Sequence, residues 1–402
     1  MRILFTKRGY APVGGSESLA YQFATRLAAR GHDVRVVCAW PAEREEVRYR
    51  AADLEPVTFD DHRVFADRGV QVVQVRPRGG PLGMAADATT LVDLLRVDVL
   101  EHYAHDRELI HNVGREYLDS TLEVAETLGL PLVLTPLAHP GQFHGGDQPA
   151  DLARYQRAAA ITTMTDWEGR WYAERGIDPA RLVTTGMGPN TVAAMAGGGL
   201  ATFRATHRIP AGAPLVLYIG RKERYKGYIH LLDSTEAVWR RHPETRFVFI
   251  GIQGFYSSFF DEFRRYPDDR IVDIEDATAA TKDAALDACD VFAMPSLHET
   301  FGLGYLEAWL HGKPVVGGDI PALREVIADG IDGILVPQRT DAVAAAILRL
   351  LDAPAHARAM GVAGRAKVGA RWDWNAVIDR VERAYRIARE NRSRSEVAAA
   401  GA

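Results

Sequence analysis

The sequence predicts an α/β protein made of two successive parallel sheets, each covered by helices. Short runs of bulky apolar residues alternate with helical patterns along the chain, as at Val34 to Cys38 and Val291 to Met294. Such runs indicate strands buried on both faces, which are typical of parallel sheets. The 402 residues suffice for two domains. Residues 186–199 are rich in glycine and alanine and mark the expected boundary.

Composition excludes several classes of protein. A net charge of −5 argues against a protein that binds nucleic acid through its overall field. Cys38 and Cys289 both lie in apolar segments, which indicates buried free thiols in a reducing compartment. No apolar run reaches the length of a membrane span, and the first strand at Ile3 leaves no room for a signal peptide. We therefore expect a cytoplasmic protein, and the arginine- and alanine-rich composition is typical of GC-rich bacterial genomes.

The first half opens with a βαβ unit. A strand at residues 3–6 leads through a loop with Gly14 and Gly15 to a helix that ends at Gly31. Two glycines before a helix are typical of a phosphate or ligand loop, but the third glycine of GxGxxG is missing. A tight turn that needs glycine explains the pair equally well.

Further elements of the first half follow the same alternation. Residues 41–65 are charged and aperiodic, which predicts a surface excursion. His139 comes directly after a predicted strand, at the edge where open α/β sheets bind ligands. A structural role for a lone histidine is about as favoured. The predicted strands and helices of this half are, in order, strand 70–75, helices 88–105 and 115–128, and strands 131–134 and 158–163.

The second half begins with a predicted strand at residues 215–219 and the segment RKERYKG. Arg221, Lys222, Arg224 and Lys226 lie between this strand and a predicted helix. A cationic loop in that position favours phosphate binding over a merely solvated surface.

The segment from Pro295 to Pro337 carries two acids around a glycine turn. Glu299 lies in a polar turn after a buried strand, Gly302 allows a close backbone approach, and Glu307 lies on the helix that follows. The helix N-terminus is a site for an anion. An anion site beside two acids favours a ligand with both phosphate and hydroxyl groups, as in a nucleotide sugar. Residues 391–402 are expected to be a disordered tail.

In this order, the motifs resemble those of retaining glycosyltransferases of the GT-B fold in the GT4 family. The most specific are the E-x7-E pair, Glu299 and Glu307 in HETFGLGYLE, and the G-R-x4-K-G element that contains Arg221 and Lys226. The Gly14-Gly15 loop and His139 also fall where the family has them. The resemblance covers nearly the whole chain.

The resemblance implies two Rossmann-like domains that face each other across a cleft. Residues 1–190 are the expected acceptor-side domain, and residues 200–375 the expected donor-binding domain. A C-terminal helix at about residues 376–390 is expected to pack back onto the first domain.

It also implies a division of labour among the site residues. Glu307 would bind the ribose and Glu299 the donor sugar, while Arg221 and Lys226 would neutralise the diphosphate. His139 would lie over the donor sugar. The implied donor-binding set is Gly14, Gly15, Thr300, Phe301, Gly302, Leu303 and Glu307, and the acceptor-side candidates are Tyr10, Phe143 and His144.

The implied function is transfer of a sugar from a nucleoside diphosphate, with UDP favoured, to a hydroxyl of a small-molecule, glycan or lipid acceptor. The family reacts with retention, and two fixed cations in place of Mg²⁺ imply that no metal or other cofactor is needed. Peripheral membrane contact is compatible with a lipid acceptor, although no clearly basic amphipathic helix supports it. The alternatives are a non-catalytic nucleotide-sugar binder and another GT-B reaction such as epimerisation.

Overall fold

A computed structural model describes residues 1–12, 14–41, 56–76, 95–142, 145–190, 199–252, 268–275 and 277–400, with side chains as far as residue 394. The chain forms two compact units. Unit 1 is Met1–Gly186 together with Asn375–Ala402, and unit 2 is Met187–Trp374. The chain thus leaves unit 1 at the start of the glycine- and alanine-rich segment. No described helix is long and apolar enough to cross a membrane.

Unit 1 contains a nine-stranded sheet of order β3-β4-β5-β2-β1-β6-β7-β8-β9. Its strands are β1 Arg2–Thr6, β2 Asp33–Ala39, β3 Val57–Thr58, β4 His62–Asp67, β5 Val70–Val75, β6 Leu109–Val113, β7 Leu132–Thr135, β8 Ala160–Thr163 and β9 Leu182–Thr184. Its helices are α1 Ser16–Ala29, α2 Val97–Ala104, α3 Leu118–Thr127, α4 Pro149–Tyr155 and α5 Asp166–Ala173, and the C-terminal helix described below. Strands β2 and β6 flank β1 in parallel, so the carboxyl ends of β1 and β6 form a topological switch point.

One part of unit 1 differs from the sequence prediction. Residues 41–65 were expected to be an excursion, yet Val57–Thr58 and most of His62–Asp67 lie there as strands β3 and β4. Strand β4 pairs antiparallel with both β3 and β5. Because β4 is only partly buried, its sequence lacks the continuous apolar run that identifies the inner strands.

The core of unit 1 includes a buried histidine. His111 on β6 lies 2.9 Å from the Tyr385 hydroxyl through Nδ1 and 2.8 Å from Thr135 Oγ1 through Nε2. Burial lowers the pKa of His111 to about 3, so the ring is neutral. Tyr385 belongs to the C-terminal helix. This helix therefore completes the core of a unit whose strands all come from the first half of the chain.

That C-terminal helix runs from Trp374 to Ala400, well beyond the predicted end. The segment expected to be a disordered tail from Asn391 is helical in the structure. It contains no glycine or proline before Gly401, and its alanine and arginine residues favour helix. Arg30, directly after the end of α1, is 2.6 Å from Asp379 and 2.9 Å from Glu382, which anchors the first half of this helix to the rest of unit 1.

Unit 2 contains a six-stranded sheet, parallel throughout, of order β12-β11-β10-β13-β14-β15. Its strands are β10 Leu215–Ile219, β11 Arg246–Ile250, β12 Ile271–Ile274, β13 Val291–Met294, β14 Val315–Gly318 and β15 Gly333–Val336. Its helices are α6 Gly199–Thr206, α7 Tyr228–Asp233, α8 Thr235–Trp239, α9 Ala279–Ala288, α10 Leu303–Leu310, α11 Pro321–Val326, α12 Thr340–Asp352 and α13 Pro354–Arg371, followed by α14 Trp374–Ala400, which leads back to unit 1. From β10 the strand order runs to β12 on one side and to β15 on the other, which makes β10 and β13 the switch point of this sheet.

Candidate functional site

The two motif-bearing loops of unit 2 lie side by side at this switch point. One loop follows β10 and the other follows β13, and the Leu297 N–H donates to the Tyr225 carbonyl at 2.7 Å. Gly227 has a φ of +78°, and a Cβ there would lie 2.3 Å from the Pro295 carbonyl oxygen. Glycine is therefore required at this position for the loops to approach so closely. Gln338 donates to both the Tyr225 and Pro295 carbonyls, which further fixes the pair of loops.

Lys226 and Glu299 form an ion pair across these loops. Lys226 Nζ lies 2.6 Å from Glu299 Oε1, which also accepts from Ser296 Oγ at 3.2 Å. The side chains are 14% and 6% exposed, so water screens their charges only weakly. The structure thus brings together the cation predicted for the diphosphate and the acid predicted for the donor sugar.

The other cations of the same loop are divided between two environments. Arg221 is exposed, and its Nη2 lies 3.3 Å from the Tyr225 hydroxyl. Lys222 is fully buried and pairs with Asp273 on β12, on the far side of β11 in the sheet. Burial raises the pKa of Asp273, and Lys222 acts to lower it. Lys222 was predicted to share in phosphate binding, but its pairing with Asp273 gives it a role inside the fold instead.

The helix start after Glu299 depends on glycine. Gly302 has a φ of +85°, and a Cβ there would lie 2.4 Å from the ring of Tyr305. The Tyr305 hydroxyl donates to the Met294 carbonyl at 2.5 Å, so this ring is fixed. Helix α10 then begins at Leu303 and directs its first N–H groups toward the loop.

The predicted donor-binding residues around the start of this helix differ in which of their atoms can contact a ligand. Phe301 is buried, and its ring packs edge-on against Trp372 at 5.3 Å between centroids. Its side chain therefore supports the loop, and only its backbone is suited to contact a ligand. Thr300 and Leu303 are half-buried beside it.

Glu307 lies within α10, and one of its two carboxylate oxygens pairs with a lysine. Its Oε2 is 2.6 Å from Lys282 Nζ, whereas its Oε1 has no hydrogen-bond partner among the described residues. The Glu307 side chain is only 2% exposed. A buried carboxylate oxygen without a donor is a strong acceptor for a ligand hydroxyl.

Lys282 was missed by the sequence reasoning. It lies on α9, one helical turn before the buried Leu286. That spacing places it on the inner face of the helix, where a lysine needs a partner. The partner is far away in sequence, so nothing local identifies it as Glu307.

The predicted residues of unit 1 lie in loops at the carboxyl edge of its sheet. Gly14 has a φ of +95° and precedes α1. Ser18 on α1 donates to the carbonyls of Gly14 and Gly15 at 2.6 and 2.9 Å, which fixes the glycine loop. Tyr10 is buried with its ring 5.1 Å from that of Tyr21, and its hydroxyl has no partner in the described part of the chain.

His139 lies in the loop after β7, and that loop is tightly held. The His139 N–H donates to the Gly145 carbonyl at 2.7 Å, and a Cβ on Gly145 would lie 2.0 Å from the His139 carbonyl oxygen. The preceding Ala138 N–H donates to the carboxylate of Glu168, which also accepts from the Met164 N–H at 2.7 Å. Burial raises the pKa of Glu168 to about 7. Phe143 and His144 lie outside the described residues.

Among the described residues, no group of three or more His, Cys, Asp or Glu side chains is arranged to hold a metal ion. Near the N-terminus of α10, Glu299 and Glu307 each pair with a lysine. Such a set offers hydroxyl acceptors and phosphate-binding cations together.

Comparison with known proteins identifies the family. A model of the glycosyl transferase 4-like domain matches residues 14–188, and a model of the glycosyl transferases of group 1 matches residues 213–353. A D-inositol 3-phosphate glycosyltransferase from Kineococcus radiotolerans is 31% identical over 427 residues, which cover 96% of this chain and 93% of the relative. A glycogen synthase from Mycobacterium tuberculosis is 26% identical over 97% of this chain and 95% of its own length.

Solved structures share the fold. Sucrose-phosphate synthase from Thermosynechococcus elongatus superposes with a TM-score of 0.72 at 22% identity, over 96% of this chain and 98% of that one. HepE from Anabaena in complex with UDP-glucose gives a TM-score of 0.75 at 17% identity, over 95% and 98% of the two chains. The sheets, the motifs and these relatives together establish that this chain is a glycosyltransferase of the GT4 family with the GT-B fold.

Proposed function

We propose that the enzyme transfers a sugar from a nucleoside diphosphate, UDP in the first instance, to a hydroxyl of a polyol, glycan or lipid acceptor, with retention and without a metal ion. The observation that carries this proposal is the buried Lys226–Glu299 pair at the switch point of unit 2. The nucleotide is further supported by HepE, which has the same fold and was solved with UDP-glucose.

Glu307 and Glu299 divide the donor between them. The unpartnered Oε1 of Glu307 accepts from a ribose hydroxyl, and Glu299 accepts from a hydroxyl of the donor sugar. The backbone N–H groups at Gly302 and Leu303 meet the diphosphate at the start of α10. The seven residues between the two acids let a single loop and helix contact both ends of the donor.

Lys226 and Arg221 stabilise the leaving group. As the glycosidic bond breaks, negative charge grows on the diphosphate, and a fixed cation beside it lowers the barrier most. Lys226 exchanges its contact with Glu299 for the phosphate oxygens, which also frees Glu299 Oε1 for the sugar. These two cations supply the charge that a divalent metal supplies elsewhere, so we propose that the reaction is metal-independent.

Retention follows the family pattern, in which the acceptor attacks on the face that the phosphate leaves. A double displacement would require a carboxylate held against the anomeric carbon. Glu299 is assigned here to a hydroxyl of the donor sugar, and it accepts from Ser296 Oγ at 3.2 Å, which suits a carboxylate that binds hydroxyls better than an attacking nucleophile.

Unit 1 supplies the acceptor side in this proposal. Tyr10 is its acceptor-side candidate among the described residues, whereas Gly14, Gly15 and His139, in fixed loops at the carboxyl edge of the same sheet, are assigned to the donor. The relatives above are named for different hydroxyl compounds, an inositol phosphate and glycogen, so the acceptor is proposed at the level of a hydroxyl compound.

The test is a donor panel with the purified protein. UDP-, ADP- and GDP-sugars are incubated with excess EDTA, and nucleoside diphosphate release is followed with and without inositol phosphates, glucans and polyprenyl or glycerol lipids. We expect release from one UDP-sugar, its acceleration by one acceptor class, and a product whose anomeric configuration by NMR matches the donor. Tight donor binding with no turnover across the panel would instead support a non-catalytic binder, and an inverted product would overturn retention.

A further inference from the structure

We propose that Lys282 is a positioning residue that holds Glu307 for the ribose of the donor and so makes the enzyme select ribonucleotides over deoxyribonucleotides. This rests on the proposed function, in which Glu307 accepts from the ribose. Lys282 is not part of either sequence motif.

Lys282 directly contacts one of the two carboxylate oxygens of Glu307. Lys282 Nζ lies 2.6 Å from Glu307 Oε2, and the lysine side chain is 25% exposed while that of the glutamate is 2% exposed. Lys282 therefore reaches from the surface of α9 to a carboxylate buried on α10. Because only Oε2 is engaged, the carboxylate is fixed while Oε1 keeps its full capacity to accept.

The charged groups around Glu307 make the contact with Lys282 important. Asp283 and Asp287 lie on α9 with Lys282, and His311 lies one turn after Glu307, directly after the end of α10. His311 Nδ1 is 2.5 Å from Asp287 Oδ1, and its Nε2 is 4.0 Å from Asp283 Oδ1. His311 is thus oriented toward the two aspartates, which leaves Lys282 as the cation in contact with Glu307 among the described residues.

The charges around Asp283 affect its pKa. Burial raises the pKa of Asp283, the charges of His311 and Lys282 lower it, and the charge of Glu307 raises it again. Without Lys282, the carboxylates of Glu307, Asp283 and Asp287 would share a partly buried region in which His311 is the remaining cation named by these contacts. Buried carboxylates in that situation take up a proton or turn away.

The state of Glu307 decides what it does for a nucleotide. Ionised and fixed, its Oε1 accepts a charge-assisted hydrogen bond from a ribose hydroxyl, which is about twice as strong as a neutral one. A deoxyribose leaves that buried oxygen without a donor. Hydrogen bonds to charged groups correspond to roughly a tenfold to hundredfold preference for the ribonucleotide.

The experiment measures dissociation constants by calorimetry for UDP and ADP, each against its 2′,3′-dideoxy counterpart. The variants are Lys282→Met, Lys282→Arg and Glu307→Gln. The control is Arg240→Met, since Arg240 belongs to an exposed pair with Glu236 on the same unit. We expect the wild-type protein and Arg240→Met to prefer the ribonucleotide at least about tenfold, Lys282→Met and Glu307→Gln to lose most of that preference, and Lys282→Arg to keep it within about threefold.

Rescue by Lys282→Arg provides the second readout, because a cation restored at this position should restore the contact with Glu307 Oε2 and with it the ribonucleotide preference. Equal weakening of both nucleotides in Lys282→Met would mean a merely structural role and overturn the inference. Retention of the preference in Lys282→Met, with its loss in Glu307→Gln, would also overturn it and leave the ribose role of Glu307 intact. An undiminished preference in Glu307→Gln would overturn the ribose role itself.

Discussion

Lys226 and Glu299, 73 residues apart in the chain, form a nearly buried ion pair with 2.6 Å between Nζ and Oε1. The pair joins the loops after β10 and β13 at the point where the strand order of the sheet reverses. Each side chain provides the opposite charge that the other needs in a poorly solvated place. The leaving-group cation is therefore held in position by the same acid that is proposed to bind the sugar.

Lys226→Ala should lower kcat more than it weakens nucleotide binding. Loss of one fixed donor to a developing charge costs about 10² to 10³ in kcat in comparable sites. We expect the Kd for UDP to rise by roughly tenfold or less, because Arg221 and the α10 N-terminus remain. Turnover and calorimetry on the same preparation provide the comparison, and equal losses in both would contradict the leaving-group role.

Gly302→Ala should destabilise unit 2 and weaken donor binding. A non-glycine residue at a φ of +85° is strained, and the added Cβ would press on the Tyr305 ring. Such strain costs on the order of 1–3 kcal/mol. The matched control is Gly369→Ala on the exposed face of α13, where a Cβ has no neighbour within 4 Å. That change should be neutral or stabilise by up to about 1 kcal/mol in urea denaturation; equal effects of the two substitutions would contradict the assignment.

Asp273→Ala should destabilise unit 2 without changing the kcat that the enzyme shows. It removes the carboxylate that pairs with the fully buried Lys222, and because the Asp273 side chain is itself 31% exposed, the cost should lie at the low end of the roughly 3–5 kcal/mol typical of a broken buried pair. Lys222→Met removes the charge as well as the contact and should cost much less. Urea unfolding of both variants checks the order, and a larger loss in Lys222→Met would disprove this account.

Glu168 should make the stability of unit 1 depend on pH. Its pKa is raised from 4.5 to about 7 in the folded chain, so the folded state binds the proton more tightly than the unfolded one. Stability contributed by that proton is present below about pH 4.5 and is lost as the pH rises through about 7. The change corresponds to about 3 kcal/mol.

Glu168→Gln should flatten this part of the pH profile, because the amide does not titrate. Measuring urea midpoints from pH 5 to 8 compares the slopes of the two proteins. Since Glu168 also holds the Ala138 N–H next to His139, we expect turnover in the variant to change less steeply between pH 6 and 8. Identical slopes for both proteins would show that Glu168 is not the titrating group.

The sequence predicts the parts of the site that lie in continuous stretches. The apolar runs identify the inner strands, and the loops that follow β10 and β13 contain Lys226 and Glu299 because parallel strands present their carboxyl ends at one edge. The glycine at position 302 is predictable for the same reason, since a close turn before a helix requires it.

Side-chain direction and long-range partners could not be predicted in this way. Lys222 and Lys226 belong to one cationic run, yet the first enters the fold to meet Asp273 and the second faces Glu299. Which way each side chain points depends on the backbone of the short loop and on strand β12. Lys282 and Glu168 carry no local signal, because their partners are brought near only by the packing of the completed sheet.

The return of the chain to unit 1 at Asn375 has a consequence for the order in which the protein is made. His111 cannot form its contact with the Tyr385 hydroxyl until Tyr385 has been synthesised. Tyr385 emerges from the ribosome only after the whole of Met187–Trp374. At typical synthesis rates this interval is roughly 10–40 s. The core of unit 1 therefore lacks its C-terminal helix while unit 2 is translated. A message truncated before Tyr385 would yield a product prone to capture by chaperones and to degradation.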